Sequence, residues 1–132
     1  MTLTRLCLCN QNITVMEGLQ LPNLKQLLLQ QNQITKIEAL EGYVLMIMMM
    51  AIVLTDQHNR CPKLQKLWLY SNKIKVIENL HQCGDLRELW LQDNLISHIS
   101  GLDAHPVLHT LALAHNQIAD LEQILVSGLT YR

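Results

Sequence analysis

Trp68 and Trp90 stand 22 residues apart, and Tyr70 follows the first tryptophan at a spacing of two. Residues two apart on an extended strand share a face, so Trp68 and Tyr70 can form one surface. Lys66, Glu88, Gln92 and Asp93 surround the rings with both charges and an amide. Aromatic rings inside a polar rim have the composition of a protein-interface hot spot. A purely structural role, in which the rings cover their own sheet and stabilise its strands, is compatible with the first.

The other reactive residues form weaker patterns. His58, His81, His98, His105, His109 and His115 pair with no nucleophile or carboxylate at a spacing that a regular fold would bring together. His105, His109 and His115 are close in sequence but fall on different sides of their unit, which argues against a metal site. Cys7 and Cys9 share a strand face, yet a single C-x-C is a weak signal. Cys61 and Cys83 are 22 residues apart and read as buried, reduced spacers, which points to a reducing compartment. The five glycines include no G-x-G array, so no phosphate-binding loop is expected. The expectation is a non-enzymatic chain with no cofactor.

What positions the aromatic residues is a repeat. Three units of the form L-x-x-L-x-L-x-x-N-x-I-x-x-[IL] begin at Leu64, Leu86 and Leu108, and a fourth begins at Leu24. A weaker first unit is Leu3-Leu6-Leu8 with Gln11, Ile13 and Met16. Within each unit x-L-x-L-x alternates in and out, the period of a strand. Strands are expected at Arg5–Cys9, Gln26–Gln30, Lys66–Tyr70, Glu88–Gln92 and Thr110–Ala114. Stacked at about 4.8 Å they make one parallel sheet, with the leucines inside and the alternate residues on the concave face. The central outward column is then Cys7, Leu28, Trp68, Trp90 and Ala112.

Asn32, Asn72, Asn94 and Asn116 fall where the chain turns inward after each strand. A buried amide needs partners, so these four should form a ladder of hydrogen bonds to neighbouring backbone. The first unit has Gln11 there, between Asn10 and Asn12, and an irregular turn is expected. Beyond the Asn, apolar residues at a spacing of three suit 3₁₀ or short helical turns on the convex side. The fold class is α/β: a leucine-rich repeat solenoid, the reading given by this pattern at a fixed period of 20–29 residues. One domain over residues 1–132 divides into units 3–23, 24–63, 64–85, 86–107 and 108–129. No end-capping segment is evident, and a fragment of a longer array is expected.

Bulk properties agree. At 132 residues the chain has one domain's worth of length, and 49% of it is hydrophobic with no Phe. A net charge of −1 offers nothing to attract phosphate backbones, so direct nucleic-acid binding is not expected.

Residues 43–60 break the period. Leu24 and Leu64 are 40 positions apart, and removing Tyr43–Arg60 restores Leu40-Glu41-Gly42-Cys61-Pro62-Lys63-Leu64 in register with Leu80–Leu86. The insertion carries the apolar run Val44–Leu54, too short for the roughly 20 residues of a bilayer span. A membrane-touching or partner-binding loop and a loop folded over the convex surface both fit. So does a retained intron, because Gly-Tyr-Val can be encoded around a splice donor and Asn-Arg can be encoded to end in an acceptor.

The units L-K-Q-L-L-L-Q-Q-N-Q-I-T-K-I-E-A-L, L-Q-K-L-W-L-Y-S-N-K-I-K-V-I-E-N-L and L-R-E-L-W-L-Q-D-N-L-I-S-H-I-S-G-L resemble a known subclass. They are similar to the 22-residue repeats of the nuclear regulatory subunit of protein phosphatase-1, of axonemal dynein light chain and of large multi-repeat ciliary proteins. The resemblance implies a concave face that binds a protein partner through Lys66, Trp68, Tyr70, Glu88, Trp90, Gln92 and Asp93. It further implies a cytoplasmic setting, with cilium and nucleus as variants, and a monomer within a larger chain or complex. Two departures are the missing carboxy-terminal cap and a unit count too small to wrap a phosphatase. The alternatives are a structural spacer array, or an adaptor in a phosphatase-regulatory, axonemal or RNA-processing complex like the spliceosomal A-prime protein.

Overall fold

The computed structural model describes residues 3–16, 21–37, 61–103 and 105–119. Five short strands, β1 (Arg5–Cys7), β2 (Gln26–Leu28), β3 (Lys66–Trp68), β4 (Glu88–Trp90) and β5 (Thr110–Ala112), form one parallel sheet in chain order. Each pairs with the next in the same register: Leu6, Leu27, Leu67, Leu89 and Leu111 are mutual partners across the sheet. The pairing of β2 with β3 has the same register as that of β3 with β4, although the intervening chain is much longer. The insertion at 43–60, and with it the choice between its three readings, lies outside the described residues.

The strands are three residues long rather than five, but their hydrogen bonding runs on. Leu8, Leu29, Leu69 and Leu91 donate to Leu28, Trp68, Trp90 and Ala112 of the following unit at 2.8–2.9 Å. Asn10, Gln31, Ser71 and Asp93 then donate to Gln30, Tyr70, Gln92 and Ala114. Regular strand ends early because those four residues and His115 turn into the left-handed region, with φ between 54° and 57°. After Gln31, Ser71, Asp93 and His115 that reversal points the following Asn inward.

Leucines at the inward positions fill the coil. Leu24, Leu27, Leu64, Leu67, Leu69, Leu86, Leu89 and Leu91 are fully buried, joined by Ile34, Ile74 and Ile96 from the return segments. Leu6 and Leu111, the equivalents on the first and last strands, are only half-buried, as expected when each unit is covered by its neighbours. Cys61 and Cys83 occupy one repeat position, both buried and outside any disulfide, and His105 takes the same position a unit later.

The convex side differs from expectation: no residue among those described is helical. Gln33, Lys73, Leu95 and Gln117 instead donate to Ile13, Ile34, Ile74 and Ile96 of the preceding unit at 2.8–2.9 Å, which holds the return in an extended form. β-branched Ile at every third position disfavours helix, and these inter-unit bonds satisfy the backbone without one. What remains of the helical tendency is a set of single turns. Leu24, Leu64, Leu86 and Leu108 each donate to the carbonyl three residues back.

Candidate interaction face

The Asn ladder fixes the backbone on which the concave side chains sit. Asn72 Nδ2 donates to Leu69 O of its own unit at 2.9 Å and to Leu29 O of the preceding one at 3.1 Å, while its Oδ1 accepts from Ile34 N–H. Asn94 does the same with Leu91, Leu69 and Ile74, and Asn116 with Leu113, Leu91 and Ile96. Asn32 reaches back to Leu8 O and accepts from both Gln11 N–H and Ile13 N–H. Gln11 itself is exposed and its side chain donates to Cys9 O and Asn10 O, so the first turn lacks the inward amide. Both Asn10 and Asn12 have φ of 55° there.

On this frame Trp68 and Trp90 are partners across β3 and β4, and both are half-buried on the concave side. Their ring centroids are 6.0 Å apart with planes tilted by 59°. The rings are therefore tilted against each other instead of stacked flat, an arrangement that brings the positive edge of one ring toward the negative face of the other. Trp90 Nε1 donates to Glu88 Oε2 at 3.5 Å, whereas Trp68 Nε1 is buried without a hydrogen-bond partner. The side-chain oxygens of Gln30 and Gln92, in the neighbouring column with half-buried Tyr70, are likewise buried and unpartnered.

An ion pair and a histidine–carboxylate contact frame the rings. Lys66 Nζ lies 2.7 Å from Glu88 Oε1, across the β3–β4 register. Burial disfavours the Glu88 charge, but the Lys66 hydrogen bond and charge, with help from Trp90, outweigh it and hold the carboxyl below its ordinary range. On the other flank His115 Nδ1 lies 2.8 Å from Asp93 Oδ1, both well exposed.

Position by position, Lys66, Trp68, Glu88 and Trp90 lie on adjacent strands as one patch, with Tyr70, Gln92 and Asp93 continuing it past the strand ends. The Asp93–His115 contact corrects the expectation that no histidine meets a carboxylate. The two residues hold the same repeat position one unit apart, so the spacing of 22 was the signal that could have found it. His105 is 4% exposed, a buried imidazole at the repeat position that Cys61 and Cys83 fill in earlier units. Among the described residues no cluster of three or more His, Cys, Asp or Glu could hold a metal ion, and no helix is long and apolar enough to cross a membrane.

A parallel-sheet solenoid with leucines inside and an Asn ladder at its turns defines the class. The chain is a leucine-rich repeat protein: residues 62–104 match the family model for leucine-rich repeats in two copies. It is similar to the crystal structure of internalin C2 from Listeria monocytogenes, with 31% identity and a TM-score of 0.72 over 92% of this chain and 46% of that one. A second internalin from that organism, inlF, shares the fold at 24% identity and a TM-score of 0.62, over 92% of this chain and 37% of that one. The chain thus spans less than half the length of either structure. No curated protein matches it.

Proposed function

We propose that this chain is a non-catalytic interaction module that binds a protein partner on its concave face, centred on Trp68 and Trp90. The observation that carries the reading is the tilted tryptophan pair. It is half-buried on a face whose backbone is already satisfied, with the Trp68 indole N–H still unpartnered. Rings held by a rigid sheet lose little conformational freedom on binding, which favours affinity. Lys66–Glu88 and Asp93–His115 supply the polar rim. The leucine-rich repeat family is generally one of interaction scaffolds, which supports the class of partner but not its identity. Cys61 and Cys83, buried thiols outside any disulfide, fit a reducing compartment such as the cytoplasm.

The test is affinity capture followed by measurement of Kd on the isolated partner. All proteins used lack residues 43–60, whose apolar run invites non-specific association. Trp68→Ala/Trp90→Ala is compared with Val76→Ser/Leu95→Ser, which alters exposed residues outside the aromatic patch. Truncating a hot-spot ring costs about 2 kcal/mol or more, so the concave variant should weaken binding by more than about thirtyfold while the second variant binds normally. A folded concave variant that binds as well as the parent would refute the assignment.

A further inference from the structure

Cys7 and Cys9 lie on β1 and just beyond it, on the first strand of the described sheet. Their Sγ atoms are in direct contact, 2.6 Å apart, as a thiol–thiol pair. Cys7 is exposed and Cys9 half-buried, so the pair is open to a small reagent. The backbone under them is held: Leu8 N–H donates to Leu28 O at 2.9 Å and Asn10 N–H to Gln30 O at 3.1 Å. The Gln11 amide ties down Cys9 O. Two strand residues at this spacing put their Cα atoms about 6.6 Å apart, near the upper end of the range that a disulfide bridges. Regular strand ends at Cys7 and the chain turns at Asn10, φ 55°, so the small contraction needed falls at the end of the strand, where the Leu8 and Asn10 bonds to the next unit must shift with it.

We propose that Cys7 and Cys9 are a reactive dithiol that exchanges with low-molecular-weight disulfides such as glutathione disulfide and closes to a Cys7–Cys9 disulfide. The two thiols are not equivalent. Cys7 is held below the ordinary thiol range, chiefly by its hydrogen bond with Cys9 and also by the Arg5 charge, against a smaller effect of burial. Burial, followed by the hydrogen bond and charge of Cys7, pushes Cys9 up to about 11.

That asymmetry orders the exchange. The Cys7 thiolate attacks one sulfur of glutathione disulfide; the glutathione S–S bond breaks and one glutathione leaves as thiolate. Cys7, now a mixed disulfide, no longer carries the charge that raised Cys9. Cys9 gives its proton to solvent and attacks Cys7 Sγ, and the second glutathione leaves as thiolate. Two electrons pass from the protein to one glutathione disulfide, and the two protons end on the released thiols. The reverse sequence with excess reduced glutathione reopens the pair. This inference stands apart from the partner-binding reading, because it rests on the first unit alone.

The full-length chain is incubated with glutathione disulfide, quenched in acid, alkylated under denaturing conditions and analysed by mass spectrometry. Expected is an internal disulfide that protects Cys7 and Cys9 together, while buried Cys61 and Cys83 remain alkylatable and serve as internal controls. Cys9→Ser should accumulate a single glutathione on Cys7. Cys7→Ser should react several-fold more slowly, because its remaining thiol is the more buried of the two and burial is the chief cause of its raised pKa. Separate glutathiones on both cysteines of the parent chain, or equal rates for the two single variants, would overturn the proposal.

Discussion

Removing one rung of the Asn ladder should cost an amount that the hydrogen-bond geometry fixes. Asn94 is 5% exposed. Asn94→Ala leaves Ile74 N–H with no acceptor, because Asn94 Oδ1 is its partner at 2.9 Å. A buried donor left unpaired costs about 1–3 kcal/mol. The two nearer of its three carbonyl partners lose less. Leu69 O retains Asn72 Nδ2 at 2.9 Å, and Leu91 O retains Asn116 Nδ2 at 2.9 Å. Adding about 0.5 kcal/mol for each weakened carbonyl gives a total of about 2–4 kcal/mol. Asn116 makes an equivalent set of bonds but is half-buried. Water can replace its amide there, and Asn116→Ala should cost less than about 1.5 kcal/mol.

The shared carbonyl makes the prediction sharper than a single loss. In Asn72→Ala/Asn94→Ala, Leu69 O loses both partners at once, so the double variant should be less stable than the two singles predict, by about 1 kcal/mol. Asn32 and Asn94 share no carbonyl, and Asn32→Ala/Asn94→Ala should be additive. Urea unfolding is followed by far-ultraviolet circular dichroism and by tryptophan fluorescence, since coincident transitions are needed before free energies are compared in a repeat protein. Additivity in the adjacent pair, or equal coupling in both pairs, would show that the ladder is a row of separate caps and would refute the reasoning.

His105 is a neutral imidazole in a site that its two equivalents fill with Cys. Burial depresses its proton affinity, the Cys83 main chain partly offsets this, and the His81 charge adds to the depression. The unfolded chain therefore binds a proton that the folded chain resists, so stability should fall as pH drops below about 6.5. His105→Cys should abolish that slope in urea melts run across the range, and it should stabilise the fold at neutral pH by about 1 kcal/mol, because a thiol is cheaper to bury than an imidazole. Gly101 has φ of 71°, and a Cβ there would sit 3.1 Å from Ile77 O. Gly101→Ala should cost about 1–2 kcal/mol, and Gly101→Asn less, because Asn79 adopts the equivalent conformation and donates to Ile37 O at 2.7 Å; thermal melts of both variants give the order. The Lys66–Glu88 pair should contribute about 0.5 kcal/mol in a double-mutant cycle, less at high salt. Because the Glu88 carboxyl is held low, its share is present above the ordinary glutamate range and lost as pH falls through the folded value.

A solenoid carries its backbone plan in the sequence because each unit is a translation of the last. Leu67, Leu89 and Leu111 could be placed as partners from spacing alone, and they pair so. So do Trp68 and Trp90. What spacing did not convey was how many residues of each unit keep strand torsions, or how the return crosses the convex side. Both depend on where the chain turns left-handed. Gln31, Ser71, Asp93 and His115 share that turn although they have no common side-chain character, so nothing in their types announced it. The side chains of the candidate site were legible as columns, but not as contacts. Tilt between the indoles follows from ring electrostatics, and the Asp93–His115 pair from two unlike residues meeting at one repeat position.

The same translational logic explains why one unit can differ without disturbing the rest. Every strand hydrogen bond and every Asn bond in the described sheet joins a unit to itself or to its immediate neighbour. The first unit dispenses with its inward amide and still pairs with β2, because Asn32 supplies the bonds from the far side of the junction. His105 replaces Cys at one rung at a local cost. Between β2 and β3 the chain takes 18 extra residues and re-enters in register, since the pairing of Leu27 with Leu67 depends on the two units alone and not on the length of chain between them. Loop length enters stability only logarithmically, whereas a shift of one residue in register would turn every leucine of β3 outward. The register is therefore what the fold conserves, and the concave face that it builds is the part of the molecule on which Trp68 and Trp90 can act together.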